Sequence, residues 1–440
     1  MREVSLHVTD NGVEGVFLPE VVLCQPSRQR MFRSCRFSLR QISTMHEILN
    51  IKRCLPGSIH FGQDASCSIA DQDTADSLQA AAALLQADQL VAFPTETVYG
   101  LGASALSSKA VQSIYAAKGR PSDNPLIIHI DSLSMLDRYV SPTSLPEAYS
   151  ALMEAFWPGP LTLLFPLPTP SPFAPEVVAS LPTVAVRMPA HPVARALIQK
   201  ADRPIAAPSA NVSGRPSPTD ALHVYNDMLA KHGQNKDWRL TILDGGAADV
   251  GLESTVVDGV TCEGEVRVLR LGGVGSDEIT DCLNKAGLNA KVKVYGKDWQ
   301  DKAMAAKPST PGMKYRHYAP SCPVLCVQAD RQASPLKDIL QTHISKRSKI
   351  GLLHLEPSTL PSLLQAEEVT SYSFGPKDKP SAHAAKLFDG LRTLEQQGVD
   401  VILVERPEED AIWETGIGAA VWERVGKSGG GLKSCLKFAP

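Results

Sequence analysis

Short apolar runs, each cut off by a loop rich in Gly, Pro, Ser and Thr, recur along the middle of this sequence. Residues 90–93, 126–130, 183–186, 204–207, 241–243, 255–257 and 266–271 are such runs. They have the length of strands and are too short for buried helices. Helical patterns lie between several of them. Residues 74–87 carry Leu78, Ala81, Ala82, Leu84 and Leu85 at helical spacing, with Asp73 or Thr74 as cap, and residues 109–117 read as another helix. Ten prolines between Pro158 and Pro192 confine much of that stretch to turns and extended backbone. Strands alternating with helices predict an α/β domain with a mixed sheet, with order beginning near Asp73.

A different pattern follows. Residues 291–320 hold few large apolar side chains and include the run Lys307-Pro308-Ser309-Thr310-Pro311-Gly312, which is linker composition. Beyond it, residues 324–327, 350–355 and 399–404 read as strands, and 381–397 as a helix stopped by Gly398. That alternation predicts a smaller Rossmann-like parallel-sheet domain. The expected organisation is an N-terminal extension (1–70), a catalytic α/β domain (71–290), a linker or lid (291–320) and a C-terminal domain (321–440).

The extension has its own chemistry. Residues 21–46 contain no acid but include Arg28, Arg30, Arg33, Arg36 and Arg40, interleaved with Phe32, Phe37, Leu39 and Ile42. This is the signature of a mitochondrial transit segment, and equally of a disordered basic tail. Met31 heads the segment and Met45 closes it, so initiation at the first would keep it and at the second would remove it. The expected location is cytoplasmic, with a mitochondrial form made through this segment.

Over all 440 residues the net charge is -3, which excludes a wholesale basic surface for nucleic acid. Nine cysteines without a CxxC suit a reducing compartment and buried thiols better than a disulfide framework. No apolar run reaches the roughly 18 residues of a membrane helix.

Several tempting motifs fail. Gly426-Lys427-Ser428 lacks the earlier glycine of a phosphate-binding loop, Val421 standing in its place. Gly100-Leu101-Gly102 is separated from its strand by residues 94–99, against a dinucleotide fingerprint. No HExxH and no cysteine quartet for zinc occurs.

What remains is a series of polar loops at strand ends, where open α/β sheets bind ligands. Pro94-Thr95-Glu96-Thr97-Val98-Tyr99 can orient a small polar substrate. In Lys118-Gly119-Arg120-Pro121-Ser122-Asp123-Asn124, an ammonium and a guanidinium flank a glycine, as a polyphosphate clamp would. Arg187 ends an apolar strand and suits a carboxylate. Around Ala207-Pro208-Ser209-Ala210-Asn211, with Ser217 beyond, small residues let amides and hydroxyls meet phosphate oxygens or a ribose. Residues 251–258 form another polar loop, and Arg270 is the fourth cation. Each loop taken singly also fits an ordinary solvated turn, and His129 also fits a core histidine.

Taken in order, PTETVYGLG, KGRPSDNPL, VRMP, APSAN and ESTVVD resemble the YrdC-like domain of L-threonylcarbamoyladenylate synthases. The run STPGMKYRHYAP and the tail after it look like the two-domain form of that family. The resemblance implies a YrdC-like domain with a twisted mixed sheet and flanking helices, joined by an extended linker to the Rossmann-like domain. It implies a nucleotidyltransferase that makes L-threonylcarbamoyladenylate from L-threonine, bicarbonate or CO2, and ATP, with Mg2+ bound with the ATP. The product would pass to a tRNA threonylcarbamoyl-transferase complex; weak tRNA contact is allowed and no membrane is involved. By the family's motif positions, Lys118 and Arg120 are catalytic. Thr97, His129, Arg187, Ala207 and Ser254 hold threonine. Arg120, Asn124, Thr183, Ser209, Asn211, Ser217, Arg270 and Tyr318 hold ATP. The basic-aromatic run from Lys314 to Tyr318 is expected to fold over the site. The alternative is an RNA-binding YrdC-like module without catalysis. A hydrogenase-maturation carbamoyltransferase is disfavoured, because its zinc motifs are missing.

Overall fold

The computed structural model describes residues 49–141, 145–235, 237–262, 264–301, 317–329, 348–364, 369–407, 413–430 and 436–438. The basic segment at 21–46, both alternative starts and Lys314 to Arg316 lie outside these residues.

In chain order the first strands are β1 (Leu49–Arg53), β2 (Ile59–Phe61), β3 (Cys67–Ile69), β4 (Val91–Phe93), β5 (Gly100–Ser104), β6 (Ile127–His129) and β7 (Leu161–Pro166). They continue with β8 (Thr183–Arg187), β9 (Ile205–Ala206), β10 (Leu240–Asp244), β11 (Thr255–Asp258), β12 (Glu265–Arg270) and β13 (Lys291–Val294). β2 and β3 pair as a separate hairpin. The others form one eleven-stranded mixed sheet in the order β1-β10-β4-β5-β9-β6-β8-β7-β11-β12-β13.

Order thus starts well before Asp73. β1 lies parallel to β10, with Leu49 opposite Leu240, and β13 extends the other edge beside β12 into the stretch whose composition read as linker. Both strands are edges, and both carry charge: Lys52 and Arg53 in one, Lys291 and Lys293 in the other. Charged residues on an edge deter pairing with other chains, and here they also erase the apolar run that marks a buried strand. The first long helix, Gln72–Gln86, is capped earlier than its sequence suggested. Asp71 accepts from the Thr74 N–H at 2.8 Å, and Leu78, Ala81, Ala82 and Leu85 face the core.

The second sheet comprises β14 (Val324–Ala329), β15 (Ile350–Glu356), β16 (Val369–Pro376), β17 (Val401–Arg406) and β18 (Leu436–Phe438). Every pairing in it is parallel, in the order β16-β15-β17-β14-β18. Helices Pro380–Gln396 and Gly416–Ser428 pack beside it. The Gly-Lys-Ser triplet lies inside the second of these, so it forms no phosphate loop. An α/β fold with a large mixed sheet and a smaller parallel one is therefore what the chain adopts.

The core beside the small sheet is not closed by C-terminal residues alone. Val98 and Leu252, from two loops of the large sheet, are buried in it with Tyr318, Phe374, Leu387 and Phe388. Cys54, Cys67, Cys262, Cys282 and Cys322 are free thiols. Cys326 departs from the expectation of free thiols: it is disulfide-bonded, to a partner outside the described residues. No helix among the described residues is long and apolar enough to cross a membrane.

Candidate active site

Sheet register brings the polar loops together. β6 and β8 are parallel, so their last residues, His129 and Arg187, stand side by side. β7 runs antiparallel to β8 and places Thr162 opposite Arg187. β11 enters beside β7 and runs antiparallel to β12, so its start, just after Glu253 and Ser254, meets the end of β12 at Arg270. Gly100, the first residue of β5, bridges to Ser209 in the loop after β9.

These ends surround one hollow. A concave space with convergent polar groups at strand ends is where a small ligand binds in an α/β fold. Thr97, Lys118, Arg120, His129, Arg187, Ala207, Ser209, Asn211, Ser217, Ser254, Arg270 and Tyr318 all line it. Asn124 and Thr183 do not. Asn124 is buried nearby, where its carbonyl accepts from Arg120, and Thr183 sits at the far end of β8 opposite Pro166. His317, from the run expected to fold over the site, also lines the hollow, as does Glu253, which had no role assigned from sequence.

Lys118 ends the helix Ser108–Lys118, which Gly119 terminates in the left-handed region at φ 63°. That turn lets the side chains on either side of the glycine enter one space. The Lys118 ammonium, 1% exposed, donates to the carbonyls of Ser209 and Asn211. Burial, and then the Arg120 charge, push its pKa well below the usual lysine value. Arg120 donates to the carbonyls of Asn124 (3.3 Å) and Pro125 (3.1 Å), and burial brings its pKa down to about 10.

Arg187 is held differently. It donates to Glu96 Oε1 at 2.5 Å, to Thr97 Oγ1 at 2.8 Å and to the Gly159 carbonyl at 3.2 Å. The Ala190 N–H fixes the other Glu96 oxygen at 3.1 Å. His129 is buried beside this pair. Desolvation, followed by the Arg187 charge, lowers its pKa to about 3, so the imidazole is neutral at physiological pH. Its Nδ1 is buried with no hydrogen-bond partner, as is His317 Nε2. An unsatisfied buried polar atom is costly, and two beside one hollow point to a bound polar molecule.

Arg270 donates twice to the Ser254 carbonyl (2.8 and 3.1 Å) and to its hydroxyl at 3.2 Å, while that hydroxyl pairs with Thr162 at 2.7 Å. Three more contacts come from the C-terminal half. Arg424 grips Glu253 at 3.1 Å. Arg392, 2% exposed, binds both Asp227 oxygens at 2.9 and 3.0 Å and the Pro216 carbonyl. Tyr318 lies against Phe388, with ring centroids 5.2 Å apart. Gly251 marks the close approach: a Cβ there would stand 2.5 Å from Ala385 Cα in the helix Pro380–Gln396. Neither Arg392 nor Arg424 stood in any loop motif, so no local signal in sequence could single them out.

In chemical terms the hollow offers several cations, a neutral imidazole, hydroxyls and backbone groups, with no activated nucleophile among its lining residues. That inventory binds and polarises substrates without covalent participation.

Comparison with known proteins gives the family. Residues 83–272 match the Sua5_yciO_yrdC family, described as "Telomere recombination", and residues 274–430 match Sua5_C, described as "Threonylcarbamoyl-AMP synthase, C-terminal domain". The threonylcarbamoyl-AMP synthase of Bacillus subtilis (strain 168) is 41% identical over 80% of this chain and 92% of its own length. That of Schizosaccharomyces pombe is 40% identical over 84% and 92%. The chain therefore belongs to the threonylcarbamoyl-AMP synthase family, in its two-domain form. A crystal structure of Pyrococcus abyssi Sua5 complexed with L-threonine superposes with a TM-score of 0.68 at 37% identity, covering 89% of this chain and 99% of that one. A doubly substituted form of the same protein gives 0.65, also at 37% identity, over 82% of this chain and 95% of that one.

Proposed function

We propose that this chain is an ATP-using synthase that condenses L-threonine, bicarbonate or CO2, and ATP into threonylcarbamoyl-AMP and pyrophosphate. The observation that carries the reading is the gathering of Lys118, Arg120, Arg187 and Arg270 with a neutral His129 around one hollow. The threonine amine captures CO2 as a carbamate and loses a proton. A carbamate oxygen then attacks the α-phosphorus, forming the new P–O bond as the bond to pyrophosphate breaks. Such phosphorus-centred transfer depends on positioning and charge stabilisation, not on a protein nucleophile.

In this reading Arg187, with Thr97, His129, Ser254 and the Ala207 backbone, holds threonine. Three bonds are committed among the five donors of Arg187, which leaves donors for the substrate carboxylate. Arg120, Ser209, Asn211, Ser217, Arg270 and Tyr318 hold ATP, with Asn124 and Thr183 at its margin. Lys118 and Arg120 stabilise the phosphate charge during attack. Mg2+ arrives with the triphosphate as part of the substrate. Among the described residues no cluster of His, Cys, Asp or Glu suits a metal, and Glu253 is already engaged by Ser217 and Arg424. The adenylate is handed to a tRNA threonylcarbamoyl-transferase complex, with weak tRNA contact allowed.

The stretch after β13, up to Pro320, acts as linker and lid, His317 and Tyr318 closing the hollow over a hydrolysable mixed anhydride. The burial of Tyr318 and its place in the lining support this. Ending the chain after residue 301 keeps β13; unchanged adenylate formation would then sink the lid. The enzyme works in the cytoplasm, and initiation at Met31 supplies a mitochondrial form, which fluorescent fusions of each start would check. The deciding assay for the reaction is pyrophosphate release that requires both threonine and bicarbonate. Its absence, together with RNA binding, would favour a non-catalytic module instead.

A further inference from the structure

One buried side chain ties two walls of the hollow to the C-terminal half. Arg424, 1% exposed in the helix Gly416–Ser428, donates from Nε (3.2 Å) and from NH2 (3.1 Å) to Glu253 Oε2. Its guanidinium also lies 5.7 Å from the centre of the Tyr318 ring. Glu253 Oε1 takes the Ser217 hydroxyl at 2.5 Å. Both Ser217 and Glu253 line the hollow.

The direction of every bond in this series is fixed. A guanidinium has donors only, and an ionised carboxylate has acceptors only. Burial opposes ionisation of Glu253, but the charges of Arg424 and Arg270 and the Ser217 hydroxyl outweigh it, leaving its pKa below the usual carboxylate value. The single Ser217 proton is therefore committed to Glu253, and its oxygen offers only lone pairs to a ligand. Ser209 is set the same way. Its hydroxyl donates to Asn211 Oδ1 at 2.6 Å, while the Asn211 amide nitrogen is spent on the carbonyls of Val212 and Arg215. Lone pairs repel phosphate oxygens and accept from hydroxyls. Two serines so prepared in one hollow offer the acceptors that ribose hydroxyls require, with the phosphates left to the cations.

We propose that Arg424, acting through Glu253, is a positioning residue that makes Ser217 a hydrogen-bond acceptor for a ribose hydroxyl of the nucleotide. The helix Gly416–Ser428 thereby sets nucleotide specificity at a hollow that it does not itself line. This assignment rests on the proposed reaction.

The test uses the full-length chain and compares kcat/KM for ATP, 2′-deoxy-ATP and 3′-deoxy-ATP in threonylcarbamoyl-AMP formation. Wild-type protein should lose at least about tenfold with one deoxy analogue, since an acceptor left without its donor penalises the wrong ligand. Ser217→Ala should shrink that ratio to within about threefold. Glu253→Gln should do the same by a different route: its amide nitrogen would donate to Ser217 and turn the hydroxyl proton toward the ligand. Arg424→Met should shrink the ratio and Arg424→Lys restore part of it. A merely structural role would lower ATP and analogue rates in proportion, leaving the ratio unchanged, and that result would overturn the proposal. Should Arg424→Met fail to fold in a thermal melt, Ser217→Ala and Glu253→Gln still decide. Wild-type protein that makes the adenylate but treats all three nucleotides alike refutes only this assignment, whereas no adenylate at all refutes the reaction.

Discussion

Where Arg187 enters the hollow, its charge meets the Glu96 carboxylate at 2.5 Å; where Lys118 enters, its ammonium meets the carbonyl oxygens of Ser209 and Asn211. Arg120 resembles Lys118, with Asn124 and Pro125 carbonyls as partners, and among the described residues neither cation is ion-paired. Both arrangements satisfy hydrogen bonds. A carboxylate also cancels charge, whereas carbonyl dipoles leave the unit charge in place, and a buried unit charge exerts a strong field. The hollow thus has a neutralised region suited to a zwitterionic amino acid and an uncompensated region suited to a polyanion. The low pKa of Lys118 is the local cost of holding charge there without a counter-ion.

This contrast can be broken from either side. Removing the carboxylate with Glu96→Ala leaves Arg187 buried and unpaired, and should destabilise the protein by about 3–5 kcal/mol while raising the KM for threonine. Denaturant midpoints and threonine titrations would show it, and an unchanged midpoint would mean that Glu96 does not neutralise Arg187. Lys118→Met should lower the kcat of pyrophosphate release by about 10²–10³-fold, as when one preorganised donor to developing charge is lost. Near-normal turnover would remove Lys118 from the mechanism. A milder change, Arg120→Lys, keeps the charge but loses the planar fork; a drop of about tenfold in kcat/KM for ATP is expected, with the threonine KM little altered. An equal effect on both substrates would mean that Arg120 does not belong to the nucleotide region.

A last, pH-dependent effect concerns His129. Its pKa is about 3 in the folded chain against 6.5 for an ordinary histidine, so the unfolded chain binds the extra proton first. The stability that depends on this neutral ring is whole above about pH 6.5 and declines as pH falls toward 3, by at most about 1.4 kcal/mol per pH unit. His129→Gln should flatten that slope between pH 6 and 4 in urea titrations, and an identical slope would place the protonation elsewhere.

The strand-end loops were legible because each pairs a short apolar run with residues of definite chemistry. Of the fourteen residues nominated from these loops and the linker, twelve line the hollow. Register explains this convergence, since parallel and antiparallel neighbours carry His129, Arg187, Ser254 and Arg270 to one end of the sheet. What escaped had physical reasons. β1 and β13 are edge strands whose charges mask their period. Asp71 caps its helix from outside the apolar pattern. Arg392 and Arg424 lie on helices that present nothing unusual in sequence, and their partners Asp227 and Glu253 stand 165 and 171 residues away. Motif reading finds chemistry gathered within one loop; it does not find a carboxylate and a guanidinium joined only by the fold.

The far edge of the large sheet carries one last implication. Leu49–Arg53 supplies a full strand beside β10, and it begins four residues beyond Met45. A cut inside that strand would leave the backbone of Leu240–Asp244 unpaired along one side and let the sheet fray from its border.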